Sequence, residues 1–203
     1  FSWSANYDAF CNLSLDGTVV RQNITGSAGA YSTTLPNSTL SDGTYVWQVS
    51  CSAGSLQSVA FRAFTVDTVL PEITDAHIES DNPNGGFADV GDTITITFDP
   101  SEQITDPQVI IAGSPADSVD CSSSPCIAEY QLQDGDPEGA VEFSISDYSD
   151  LAGNNGAKVS STNDGSSVTF DSTAPYFTFV GISSNGSNPI YPQSDDWINL
   201  SFN

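Results

Sequence analysis

The sequence predicts an all-β chain organised as two sandwiches of roughly a hundred residues each. Three observations carry that expectation. No segment sustains a 3.6-residue apolar period over helical length, whereas short alternating runs bounded by Gly, Pro, Asn and Asp recur throughout. A strand followed by Asp67-Thr-Val-Leu-Pro71 returns as a strand followed by Asp171-Ser-Thr-Ala-Pro175, with the two prolines 104 residues apart. Hydrophobic residues make up 38% of the chain, enough for ordinary cores, so composition does not point to disorder.

Taken in order, Cys11-Asn-Leu13-Ser-Leu15 alternates with its apolar side chains on one face, and Asp16-Gly17 then marks a hairpin turn. Asp42-Gly43 leads into Tyr45-Val-Trp47-Gln-Val49-Ser-Cys51, whose inward set is Tyr45, Trp47, Val49 and Cys51. Cys11 and Cys51 thus share core faces, a setting for a disulfide that clamps the two sheets of a sandwich, and Asp42-Gly-Thr-Tyr45 has the form of a tyrosine corner. Phe61-Arg-Ala-Phe64-Thr-Val66 is the last strand before the first proline junction. The second sandwich is expected to hold strands at 72–78, 93–98, 108–111, 129–132, 141–145 and 167–170, with Ile94, Ile96 and Phe98 inward. Cys121-Ser-Ser-Ser-Pro-Cys126 is expected to close a small loop disulfide, because the spacing fits no usual zinc pair. After Pro175, Tyr176-Phe-Thr-Phe-Val180 opens a further sandwich, 185–194 is a Pro- and Asn-rich loop, and 195–203 begins a strand.

That last strand fits the first one. Ile198, Leu200 and Phe202, read on from Asn203 into Phe1 and Trp3, fall on one face, with Asn199, Ser201, Asn203, Ser2 and Ser4 on the other. The expected organisation is a sandwich lacking its opening strands at 1–70, a complete sandwich at 71–175, and at 176–203 the opening strands that complete the 1–70 domain of a following copy. Copies of the chain, head to tail, are therefore the expected partners, joined covalently or by strand donation.

Twenty-six acidic residues face only Arg21, Arg62 and Lys158, a net charge of −23. Such a surface repels nucleic acid and anionic membrane and attracts cations. No apolar run approaches the length of a membrane span, so no membrane insertion is expected of this segment. Four cysteines agree with an oxidising compartment. So do the sequons at Asn12, Asn23, Asn37, Asn185 and Asn199, together with Asn203-Phe1-Ser2 created at the join, all of them outside 72–175. An extracellular or cell-surface glycoprotein is the expected class.

The second domain resembles prokaryotic immunoglobulin-like repeats of large cell-surface proteins in Val90-Gly-Asp92-Thr-Ile-Thr-Ile96, Ser101-Glu102, Glu138-Gly-Ala-Val141, Asp150-Leu-Ala-Gly-Asn154 and Asp171-Ser-Thr-Ala-Pro175. The split domain resembles another variety from exported archaeal and bacterial proteins in Cys11-Asn-Leu-Ser-Leu-Asp-Gly17, in Asp42-Gly-Thr-Tyr45 through Cys51, and in Phe64-Thr-Val-Asp67 before Pro71. The resemblance implies tandem immunoglobulin-like β-sandwiches, one of them split between the chain ends, and ions that stiffen the junctions.

Catalytic chemistry has little material here. His77 is the only histidine and is expected on a strand beside Glu79, facing solvent, and pairs such as Asp134/Asp136 and Asp195/Asp196 fall in turns. No enzyme is expected. Calcium is the expected ligand, because Asp/Asn-rich turns at domain ends supply hard oxygens. Asp150 and Asn154 share one such turn, and Asp67 and Asp171 mark the two junctions. The loop expected to face Asp67, Cys51-Ser-Ala-Gly-Ser55, has no acid, so calcium is expected after the second domain, on Asp150, Asn154 and Asp171. Tyr31, Tyr191 and Trp197 are expected as exposed aromatics able to stack on sugars. The expected function is a structural repeat unit of a filament, stalk, sheath or surface layer, with an adhesin that binds glycans or a partner protein through loops as the alternative.

Overall fold

The computed structural model describes residues 1–6, 8–26, 28–34, 40–186 and 193–203, and every regular element among them is a β-strand. The first region holds β1 (Ser2–Ala5), β2 (Ala9–Leu15), β3 (Thr18–Gly26), β4 (Gly29–Ser32), β5 (Gly43–Ala53) and β6 (Leu56–Val66). They form an antiparallel sheet in the order β3-β2-β5-β6 and a separate pair, β1-β4. The turn between β2 and β3 places Asp16 and Gly17 at φ 46° and 80°, the doubly left-handed backbone that a two-residue hairpin requires and that Asp-Gly tolerates. The Tyr45 hydroxyl donates to the Ser41 carbonyl at 2.8 Å, which fixes the entry of β5 as a tyrosine corner does.

The second region holds β7 (Ile73–Ser80), β8 (Phe87–Ala88), β9 (Thr93–Pro100), β10 (Ile104–Thr105), β11 (Gln108–Ile111), β12 (Ser114–Pro115) and β13 (Ser118–Asp120). It continues through β14 (Cys126–Gln131), β15 (Gly139–Ala140), β16 (Phe143–Ser146), β17 (Ser149–Asp150) and β18 (Thr169–Phe170). The sheet β13-β14-β9-β7 packs its apolar face on β12-β11-β16, joined by the two-stranded β10-β17 and the three-stranded β15-β18-β8. Strict alternation in Thr93-Ile-Thr-Ile-Thr-Phe98 sends Ile94, Ile96 and Phe98 into the core and the threonines outward.

A hairpin follows, β19 (Val180–Ser184) with β20 (Ile198–Phe202), which forms a two-stranded sheet by itself. The regions differ in how much core they hold. Among the described residues nineteen buried side chains make one cluster in the second region, and four, Ala9, Cys11, Tyr31 and Val49, make the cluster of the first. The shortfall lies on the inner face of β6, where Leu56, Ser58, Ala60 and Arg62 pair with the inward residues of β5 yet remain exposed.

Candidate cation cluster and open sheet surfaces

Pairing of Ile104 with Asp150 across β10 and β17 brings the turn at 150–154 beside residue 102. Asp150 is 3% exposed. Its Oδ1 accepts the amides of Gly153 (2.7 Å) and Asn154 (2.8 Å), and its Oδ2 accepts Asn154 Nδ2 (2.8 Å). Burial pushes this carboxyl up, but the bonds from Asn154, Gly153 and Ala152 outweigh it and hold the group below the ordinary aspartate range. Asn154 Nδ2 also donates to the Asp67 carbonyl at 3.0 Å, tying the incoming chain to the turn. One carboxylate oxygen each from Asp67, Glu102 and Asp150 lie within 4.8 Å of one another. Desolvation, and then the charges of Asp67 and Asp150, push the Glu102 carboxyl up. Three hard oxygens under mutual repulsion are the donor set that a divalent cation relieves.

The expectation grouped Asp150 and Asn154 with Asp171, whereas the structure gathers Asp150 with Asp67 and Glu102, at the junction before the second region. Asp171 follows β18, which pairs with β8, away from the cluster of Asp67, Glu102 and Asp150 in the strand order. Its amide bonds the Ala88 carbonyl at 3.0 Å and its Oδ1 accepts the Thr173 amide at 3.1 Å, while Glu138 takes hydrogen bonds from Ser172 and Thr173. Those Ser172 and Thr173 hydroxyls hold the Glu138 carboxyl below its ordinary range. Glu102 was not foreseen as a ligand, because residues 67, 102 and 150 share no sequence spacing and only the fold gathers them.

Both disulfides, Cys11–Cys51 and Cys121–Cys126, are present. Cys11 and Cys51 are direct partners on neighbouring strands β2 and β5, with Cα atoms 4.0 Å apart. The bond therefore staples two strands of one sheet and does not clamp two sheets: alternation shows which face a cysteine takes, but not which sheet its partner is in. Tyr31 is a second correction. It is 4% exposed, stacks on Trp3 with ring centroids 5.8 Å apart, and its hydroxyl accepts the Ala9 amide at 3.2 Å, so it is core and not a sugar platform. Trp197 is 55% exposed, and Tyr191 and Asn37 lie outside the described residues. Asn12, Asn23, Asn185, Asn199 and Asn203 are all exposed, with Asn12 Oδ1 accepting the Asn23 amide and Asn185 Oδ1 the Trp197 amide.

His77 Nδ1 lies 2.5 Å from Asp164 Oδ2, a hydrogen bond that, with those from Ser166, holds the Asp164 carboxyl far below its ordinary range. The same loop covers the free edge of β7, since Ala76 N–H donates to Asn163 Oδ1 and Ile78 N–H to Ser166 Oγ.

The inter-copy residues of the sequence expectation fall into two groups. Phe1 and Trp3 pack in the first region, with Phe1 edge-on to Trp47 and Phe64. Ile198, Leu200 and Phe202 lie on β20 and are exposed. Between β1 and β6 runs a groove of about 320 Å³ walled by Trp3, Ala5, Val49, Ala53, Leu56 and Ala60, and the indole N–H of Trp3 is buried without a hydrogen-bond partner.

No family model and no curated protein matches the chain. Among solved structures the chain is similar to SGBP-B of a Bacteroides ovatus mixed-linkage glucan utilization locus, solved in complex with a mixed-linkage heptasaccharide. Identity is 14% and the TM-score 0.26; the match covers 81% of this chain and spans 38% of the length of that one. Among the described residues no helix is long and apolar enough to cross a membrane.

Proposed function

We propose that the chain is a non-enzymatic, extracellular repeat unit of immunoglobulin-like sandwiches that assembles head to tail into a filament, stalk, sheath or surface layer. One observation carries the reading. The hairpin β19-β20 repeats the hairpin β7-β9 at a constant offset of 104 residues, strand for strand and in the same register: Ala76 faces Phe98 and Ile78 faces Ile96, as Val180 faces Phe202 and Ile182 faces Leu200. The Thr74 hydroxyl donates to the Asp99 carbonyl at 3.0 Å, and Thr178, 104 residues on, donates to the Asn203 carbonyl at 3.2 Å. The first copy of this hairpin is the wall of a core, whereas among the described residues Val180, Ile182, Ile198, Leu200 and Phe202 of the second stay exposed. A two-stranded sheet with apolar side chains in water is marginal alone, which favours completion by another copy.

The remaining features suit an exposed fibre. Disulfides and exposed sequons fit an oxidising, extracellular setting, where the asparagines would carry glycans. Calcium, if taken up, would be held by Asp67, Glu102 and Asp150, and would supply charge compensation that stiffens the first junction.

Sedimentation velocity and electron microscopy over a concentration series test the assembly. Open-ended linear oligomers are expected, since a head-to-tail contact does not close; strictly monomeric behaviour at every concentration would overturn it. A glycan array with the native chain and Trp197→Ala separates the adhesin alternative, which requires reproducible sugar binding that depends on Trp197.

A further inference from the structure

We propose that the groove between β1 and β6 is the seat of residues 174–177 of a second copy of this chain, in the register that Glu72 holds against Ser101. The proposal rests on the head-to-tail reading and names the contact through which it works.

The second region supplies the template. There Pro71 is fully buried, the Ser101 amide donates to the Glu72 carbonyl at 2.7 Å, and the Glu72 amide donates to Ser101 Oγ at 3.0 Å. Counting Phe1 of a second copy as the residue after Asn203, the offset of 104 carries Ser101 onto Ser2, Glu72 onto Tyr176 and Pro71 onto Pro175. Serine therefore recurs at the position that accepts the bond, and proline at the position that is buried. In this chain Pro175, Tyr176 and Phe177 are all exposed.

The receiving edge is open in the matching way. Phe1 and Thr33 exchange both backbone bonds, so the Phe1 and Trp3 backbone groups face β4 and those of Ser2 and Ser4 face the opposite edge. Beneath that edge lies the groove, over the inner face of β6, which stays exposed among the described residues. Trp3, Ala5 and Ala60 wall this groove, so a strand laid along β1 covers apolar side chains that are otherwise open to water. Once seated, Phe177, Val180, Ile182, Ile198, Leu200 and Phe202 of the incoming copy extend the inward face begun by Phe1 and Trp3. Six such side chains at roughly 100 Å² each supply about three-quarters of the ~800 Å² per partner of a stable interface.

Disulfide trapping in the full chain tests the seating. Ser2 and Tyr176 are exposed, so Ser2→Cys and Tyr176→Cys leave the fold intact. Mixed under mild oxidation, the two variants are expected to form a cross-linked heterodimer at least tenfold above the background from Ser2→Cys with Ser183→Cys, and Phe202→Asp is expected to abolish the excess. Oligomers in the ultracentrifuge without that excess would overturn this seating and leave the repeat reading standing. Monomers without cross-linking would overturn both.

Discussion

The hairpins β7-β9 and β19-β20 share a register and differ in what surrounds them. In β7-β9, Ile96 is 0% and Phe98 1% exposed; in β19-β20 their counterparts Leu200 and Phe202 are 66% and 67% exposed. The outer edge of β7 is occupied by Asn163 and Ser166, and among the described residues no loop does the same for β19. The same alternation, the same register and the threonines Thr74 and Thr178 thus occur once inside a sandwich and once outside. The lesson is that a strand pattern specifies a face, and that the core it meets is supplied by other elements.

The largest expected effect sharpens this contrast. Phe98→Ala should cost about 3–5 kcal/mol of stability in urea unfolding, as large core truncations do. Phe202→Ala should stay within about 0.5 kcal/mol in the dilute chain, as exposed positions do. Equal losses would mean that β20 is already packed. Next come the disulfides: removing Cys11 and Cys51 together opens a sequence separation of 40 and should cost ~4 kcal/mol, and removing Cys121 and Cys126, separated by 5, ~2 kcal/mol. Tyr31→Phe leaves the Ala9 amide without its acceptor and should cost about 1 kcal/mol in the first region only, read from the same unfolding curves.

The smallest effects lie at the carboxylate cluster and follow pH. Asp150 is held below its ordinary value, so its contribution is complete above the ordinary aspartate value of 3.8 and is lost as pH falls through the depressed one. Glu102 is pushed up, so its contribution is present below 4.5 and is lost as pH rises through the raised value. Glu102→Gln should therefore raise the melting temperature slightly at pH 7 without calcium and leave it unchanged at pH 3. Calcium should raise the melting temperature of the native chain beyond matched ionic strength, and Glu102→Gln should lose most of that rise. Calorimetry reads all three.

Alternation placed Leu13, Trp47, Val49, Ile94 and Ile96 on the right faces, because the period of a strand is local. The Asp16-Gly17 turn was legible for the same reason, since its backbone demands those residues. Tyr31 was not: it lies on a four-residue strand whose burial comes from Trp3, across the pair. Nor was the Cys11–Cys51 partnership within one sheet, or the gathering of Glu102 with Asp67 and Asp150. These depend on strand order and direction, which spacing along the chain does not encode.

The central claim is that Ile198–Phe202 is a sheet wall awaiting a second copy. Amide hydrogen exchange on the full chain, measured in dilute solution and in samples shown by sedimentation to contain oligomers, tests it most directly. The account predicts fast exchange across β20 in the dilute chain and strong protection in the oligomer, with β9 protected in both. Protection of β20 in the dilute chain, or its fast exchange within the oligomer, would contradict it.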